Sequence, residues 1–147
     1  MISKILIAVD GSNHSLKGVE YGAEIAAAIN ARVILLNVVK KTVIPESLRE
    51  FAKAEHIYGM DIDLLKRGAQ FMLDKALDSV RRAEVKNVEF EVEEGPVART
   101  IVARAKHHRV DMIVIGSRGM GDIEGALRGG VSHRVGILAN CPVLVVK

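Results

Sequence analysis

Gly116, Gly119, Gly129 and Gly130 fall in a stretch with the makings of an anion site. The apolar run Met112-Ile113-Val114-Ile115 opens directly into Gly116-Ser117-Arg118-Gly119, and Gly129-Gly130-Val131-Ser132 begins a segment that reads as a helix. Glycine lets the chain take positive φ and lets a ligand come close to the backbone. A helix start offers unpaired N–H donors and the positive end of a dipole. Strand, glycine-rich loop and helix start, in that order, predict a place where main-chain N–H groups meet phosphate oxygens. The expectation is a nucleotide-binding protein. Arg118 and Arg128 are candidate partners for the phosphates, against the common fate of loop arginines, which is to stay solvated.

The familiar phosphate motifs fail here. A P-loop requires Gly-x4-Gly-Lys-Ser/Thr. Gly116 and Gly121 have the glycine spacing, but Asp122 stands at the lysine position; Gly125 and Gly130 have it too, with Val131 in that place. The Gly-x-Gly-x-x-Gly pattern is absent after the first strand. Hydrolysis needs a positioned water, a base and charge neutralisation. Asp122 and Glu124 are the only carboxylates within the glycine segment, and no lysine completes a site. A nucleotide-binding regulatory protein with at most slow hydrolysis is the expectation. His14, His56, His107, His108 and His133 show no metal-like arrangement. Cys141 is the only cysteine, so no intramolecular disulfide forms; it reads as a small packed residue in a chain built for a reducing compartment.

The elements that must position these residues alternate. Lys4 to Val9 is a continuous apolar run ending at Asp10-Gly11-Ser12, a buried strand followed by a turn. Ser12 or Asn13 can cap the next helix, whose apolar face carries Leu16, Val19, Ala23, Ala26 and Ala27. Arg32 to Val39 is a second buried strand. Residues 40–60 read as a long loop with one helical piece, a candidate lid or partner surface. A helix from Asp61 carries Leu65, Ala69, Met72, Leu73, Ala76 and Val80. Val88 to Val92 alternates strictly, as an edge strand does. Gly95-Pro96 starts a third helix with Pro96 in its first turn; Asp111 to Ile115 and Pro142 to Val146 are strands, with a helix over 131–139 between them.

This order predicts one α/β domain over residues 1–147: an open five-stranded parallel sheet with helices on both faces. With 49% hydrophobic but only 3% aromatic residues, aliphatic side chains must build its core. Such sheets bind ligands beyond the carboxyl ends of their strands, where strand order reverses. If the first and fourth strands are neighbours, Asp10 faces Gly116. A carboxylate there accepts hydrogen bonds from ribose hydroxyls or helps to hold a metal. Its other reading is a turn residue or a helix N-terminal charge.

Gly116, Gly119 and Gly129 also satisfy Gly-x2-Gly-x9-Gly. On that spacing the chain resembles the universal stress protein family, in particular its ATP-binding branch. The likeness extends over Ile5-Leu6-Ile7-Ala8-Val9-Asp10-Gly11-Ser12, Val33-Ile34-Leu35-Leu36-Asn37-Val38, Glu94-Gly95-Pro96, the run from Asp111 to Gly119, and Cys141-Pro142-Val143-Leu144-Val145-Val146. It implies a Rossmann-like fold of the adenine-nucleotide alpha-hydrolase type, with ATP or AMP as ligand and Mg or Mn on the phosphates. It further implies that Asp10 lies near the ribose and the metal, and that the Val38 backbone reads the adenine edge. Gly116 and Gly119 would run along the ribose and phosphates, with Gly129, Gly130, Val131 and Ser132 receiving the phosphates. Family members pair their last strands, which implies a homodimer through 143–146, its occupancy signalled to a protein partner. Two departures stand out. Gly130 occupies the position where the pattern has Ser or Thr, and Gly95-Pro96 is one residue tighter than Gly-x-Pro.

Other partners are expected to be excluded. A net charge of +3 falls short of a nucleic-acid binder's basic density, and no aromatic stacking platform accompanies the Arg81-Arg82 or His107-His108-Arg109 clusters. No apolar run approaches the length of a membrane span, and Ile5 to Val9 is too short for a signal-peptide core, so cytoplasm is the expected location. A stress-related interaction module with an empty crevice, or a slow ATPase, remain the alternatives.

Overall fold

Strands that are apolar on both sides must be covered by helices on both faces. The computed structural model describes residues 1–40, 60–119 and 130–147, with the surroundings of individual residues in the helix beginning at Met60 described at Gly68 and from 70 onward. The elements run β1 (Lys4–Ala8), α1 (Asn13–Ile29), β2 (Arg32–Val39), α2 (Met60–Arg82), β3 (Val88–Glu94), α3 (Val97–His108), β4 (Met112–Gly116), α4 (Val131–Leu138) and β5 (Val143–Val146). One sheet of order β3-β2-β1-β4-β5 contains all five strands. Every pairing is parallel. The expected α/β sheet is present, β1 and β4 are neighbours, and β3 lies at an edge. The segment read as a long loop lies, apart from its ends, outside the described residues.

Alternation along the strands explains the unbroken apolar runs. Ile5, Ile7 and Val9 join Val33, Leu35 and Val114 in a core with Val19, Ala23 and Ala26 of α1 and Ala76 and Val80 of α2. Leu6, Ala8, Leu36 and Ile115 point the other way, into a second core with Ala98, Ile101 and Ala105 of α3 and Val135 of α4. Cys141 packs beside this second core, and burial pushes its thiol up from the ordinary value.

Helix α1 lies unusually close to the sheet. A Cβ on Gly22 would come within 2.6 Å of Ile7 Cδ1, and one on Gly116 within 2.7 Å of the His14 and Ser15 backbone. At the start of α1, Ser12 Oγ accepts from the Ser15 N–H at 3.2 Å, the capping expected of it. Pro96 is the N-cap of α3 rather than a first-turn residue; its ψ of 111° is extended, so the helix starts one residue later than the sequence predicts. That helix ends at His108, and Arg109 turns out at a φ of 53°.

Two carboxylates tie distant segments together. Asp111 Oδ2 accepts from Ser3 N at 2.7 Å, Ser3 Oγ at 2.9 Å and Lys4 N at 2.9 Å, locking the starts of β1 and β4. Glu91 of β3 receives the guanidinium fork of Arg104 at 2.8 and 3.0 Å and meets His108 Nε2 at 2.7 Å. The Ser3 and Lys4 donors hold the Asp111 carboxyl below its ordinary 3.8, and the Arg104 hydrogen bond holds Glu91 below its ordinary 4.5. The unfolded chain therefore binds these protons more readily than the folded one. The stabilisation is complete above about pH 4.5 and is lost as pH falls through the lowered values. Thermal melts of Asp111→Asn/Glu91→Gln should show a lower Tm at neutral pH and a flatter decline into acid; an acid slope equal to wild type refutes the assignment.

Candidate functional site

Because strand order reverses between β1 and β4, the connections leaving their carboxyl ends diverge to opposite sides and open a crevice. The described residues around it bound about 470 Å³ of empty space, part of it continuous with solvent. Its floor is aliphatic, made by Ala8, Leu36, Val38, Val97, Ile101 and Ile115. Its polar wall comes from Asp10, from Ser117, Arg118 and Gly119 after β4, and from Val131 and Ser132 at the start of α4. Among the described lining residues, Asp10 is the one carboxylate and Arg118 the one cation.

The two loops hold each other. Asp10 Oδ1 accepts from the Ser12 N–H at 2.9 Å, closing the turn after β1. Ser12 Oγ donates to the Arg118 carbonyl at 3.3 Å, and Ser117 Oγ meets His14 Nδ1 at 3.2 Å. From the other side Ser132 Oγ donates to the Ser117 carbonyl at 3.2 Å, and the Ser117 N–H donates to the Val146 carbonyl at 2.7 Å. Residues 117–118 are thus bonded to α1, α4 and β5 at once. Helix α4 begins at an N-cap, Gly130, that makes no side-chain capping bond. The first-turn N–H groups of Val131, Ser132 and His133 have no intrahelical acceptor and carry the positive end of the dipole.

Most of the sequence-predicted residues converge. Asp10, Val38, Gly116 and Arg118 line the crevice, as do Gly119, Val131 and Ser132. Gly130 sits behind this wall as the cap of α4. Gly129, Arg128, Asp122 and Glu124 lie outside the described residues. The Gly116 position is glycine for a reason the motif did not state: its missing side chain is where the first turn of α1 sits. Sequence reasoning passed over three residues. His14 and Ser117 tie α1 to the β4 loop, and no local spacing announces a bond between residues so far apart in sequence. Asn37 is buried and donates from Nδ2 to the Val9 carbonyl at 2.7 Å. Its signal was present: one polar residue within Val33 to Val39.

An open parallel sheet with an aliphatic crevice at its switch point, walled by a helix N-terminus, defines a doubly wound α/β protein. The chain belongs to the universal stress protein family, whose family model matches residues 1–147. It is 32% identical to the universal stress protein YxiE of Bacillus subtilis, with all of both chains covered. To a universal stress protein of Methanocaldococcus jannaschii it is 34% identical, covering all of this chain and 83% of that one. Among solved structures, the protein designated MJ0577, solved for structure-based assignment of its biochemical function, superposes with a TM-score of 0.79 at 26% identity, over 100% of this chain and 96% of that one. A universal stress protein in complex with cAMP superposes at 0.73 with 24% identity, covering 99% and 97%. One from Archaeoglobus fulgidus in complex with dAMP superposes at 0.68 with 19% identity, covering 100% and 98%. These last two show the shared fold.

The two β4-loop glycines should respond differently to alanine. On Gly116 the new methyl meets helix backbone at 2.7 Å, whereas on Gly119, among the described residues, it meets the tip of the Asp10 side chain, Oδ2, at 2.8 Å. Gly116→Ala is expected to cost about 1–3 kcal/mol by overpacking, and Gly119→Ala to melt close to wild type with Asp10 displaced. Equal melting temperatures for the two variants would contradict this.

Proposed function

We propose that the protein binds an adenine nucleotide, ATP or AMP, in this crevice and acts as a regulatory dimer in the stress response. The observation that carries the reading is the convergence of an aliphatic floor, the Asp10 carboxylate and the open N-terminus of α4 on one space. The floor suits a purine, Asp10 suits ribose hydroxyls, and the N–H groups of Val131 and Ser132 suit phosphate oxygens. Neighbours of the same fold solved with cAMP and dAMP support the class of ligand. The Gly116 backbone and Gly119 border the ligand beside the β4 loop, Gly130 leads into the phosphate end with Gly129 assigned there by its motif position, and Arg118 is the one cation among the described lining residues.

Among the described residues no group of three or more metal-ligating side chains occurs. A Mg or Mn ion would therefore be held chiefly by the phosphates and water, with Asp10 as its protein contact. Hydrolysis is at most slow in this reading, since the described crevice lining offers one carboxylate, Asp10, and no lysine to complete a hydrolytic site. The homodimer forms through β5, the sheet edge opposite β3, where Val145 is exposed together with Ile137 and Leu138 of α4. An unidentified protein partner reads the occupied state. No described helix is long and apolar enough to cross a membrane, and the cytoplasm is the proposed location.

A second reading is favoured by one observation. The cap of α4 lacks a hydroxyl at Gly130, so the phosphates lose one donor and the crevice stays empty in an interaction module. Denaturing the purified protein and identifying released small molecules by mass spectrometry separates the two readings. Release of an adenine nucleotide, with a Tm raised by added ATP or AMP, supports the first; no release and no shift overturns it. Gly130 has a φ of −60° and a ψ of 169°, open to any residue. Gly130→Ser should tighten ATP about tenfold, one charge-assisted hydrogen bond's worth, in a calorimetric titration. Unchanged affinity would remove position 130 from the phosphate site.

A further inference from the structure

We propose that Asn37 is the positioning residue for base recognition: its side-chain amide occupies the Val9 carbonyl and so leaves the Val38 N–H and C=O facing the crevice. The β1–β2 ladder ends at Ala8 and Leu36, with one last bond from the Val9 N–H to the Leu36 carbonyl at 2.8 Å. Alternate residues of a strand address opposite neighbours. Leu36 addresses β1, so Val38 addresses the same side; Val39 addresses β3, as its carbonyl's bond from the Gly95 N–H at 3.0 Å shows. One more rung would join the Val38 N–H to the Val9 carbonyl. That acceptor is taken instead by Asn37 Nδ2 at 2.7 Å, and among the described residues no backbone donor reaches it.

Val38 is left half-buried on the crevice wall with a donor and an acceptor side by side. Adenine offers the complement on one edge, a ring-nitrogen acceptor next to an amino donor. Hypoxanthine and guanine present the reverse, a ring N–H beside a carbonyl oxygen, and set donor against donor. Asn37 keeps this arrangement at a cost to the fold. The residue is 4% exposed and its Oδ1 has no hydrogen-bond partner among the described residues. An apolar residue of similar size would pack there without an orphaned acceptor. That a polar group stands at this site is explained by what it does to Val9 and Val38.

This inference rests on the adenine-nucleotide reading, but its primary test requires no nucleotide. Amide hydrogen exchange, read by NMR on the ligand-free protein, should find the Val38 N–H exchanging at least about tenfold faster than the amides of the bonded strand interior such as Leu36. In Asn37→Leu the Val9 carbonyl is released and the Val38 amide should become protected, with Tm equal to or above wild type. Asn37→His, which can offer a ring N–H to the same carbonyl, should retain fast exchange. Protection of Val38 in the wild type, or no change in Asn37→Leu, overturns the proposal whatever the protein binds. Calorimetric titration with ATP and inosine triphosphate supplies the second arm. Wild type should prefer ATP by about tenfold or more, and Asn37→Leu should lose most of that preference. Fast Val38 exchange in a protein that binds neither nucleotide would sink the adenine reading and leave the role of Asn37 standing. Undiminished selectivity in Asn37→Leu would overturn that role.

Discussion

Backbone polar groups at the carboxyl ends of the strands run out of ladder partners at different points, and the crevice is built by whatever satisfies them. A buried N–H or C=O left without a partner is costly, so each is claimed by something. The Val9 carbonyl is claimed by Asn37, the Ser117 N–H by Val146, the Ser117 carbonyl by Ser132 and the Arg118 carbonyl by Ser12. Each of these bonds joins residues that are distant in sequence. Together they hold the turn after β1, the loop after β4 and the start of α4 in one arrangement. Val38 and the first turn of α4 are the exceptions, and they border the same space.

Close packing makes this arrangement possible. Helix α1 approaches the sheet through Gly18 and Gly22, and its first turn rests where a side chain on Gly116 would be. This brings Ser12 within reach of Arg118 and His14 within reach of Ser117. One glycine of the motif thus serves helix–sheet packing with its missing side chain and lines the crevice with its backbone. The motif position and the steric need coincide there. Gly119 differs, since among the described residues it is a side-chain tip, the Asp10 carboxylate, that crowds it. The link from Ser117 to Val146 also joins the crevice wall to β5, the strand proposed to form the dimer.

The fold was legible in the amino-acid pattern because its signals are local and redundant. Two-sided apolar runs at Ile5 to Val9 and Val33 to Leu36 announced central strands, and the alternating Val88-Glu89-Phe90-Glu91-Val92 announced an edge. Boundaries moved by a residue or two: β1 stops at Ala8, β3 continues to Glu94, and α3 starts after Pro96. The site was legible in part. Asp10, Gly116, Gly119, Val131 and Ser132 stand beside turns and a helix start, where spacing carries meaning.

His14 and the bonds of Ser117 were not readable, because hydrogen bonds across residues far apart in sequence leave no periodicity, and Asn37 showed only as one polar residue in an apolar run. The sequence by itself determined the class of fold, the order of elements and the glycine-rich region, since hydrophobic period and glycine placement act within a few residues of themselves. Only the tertiary structure decided that β1 lies beside β4, that Asn37 takes the Val9 carbonyl, and that Gly116 is a packing position as well as a crevice residue. Those outcomes depend on which surfaces meet once the two cores close, and contact between distant segments is a property of the packed chain alone.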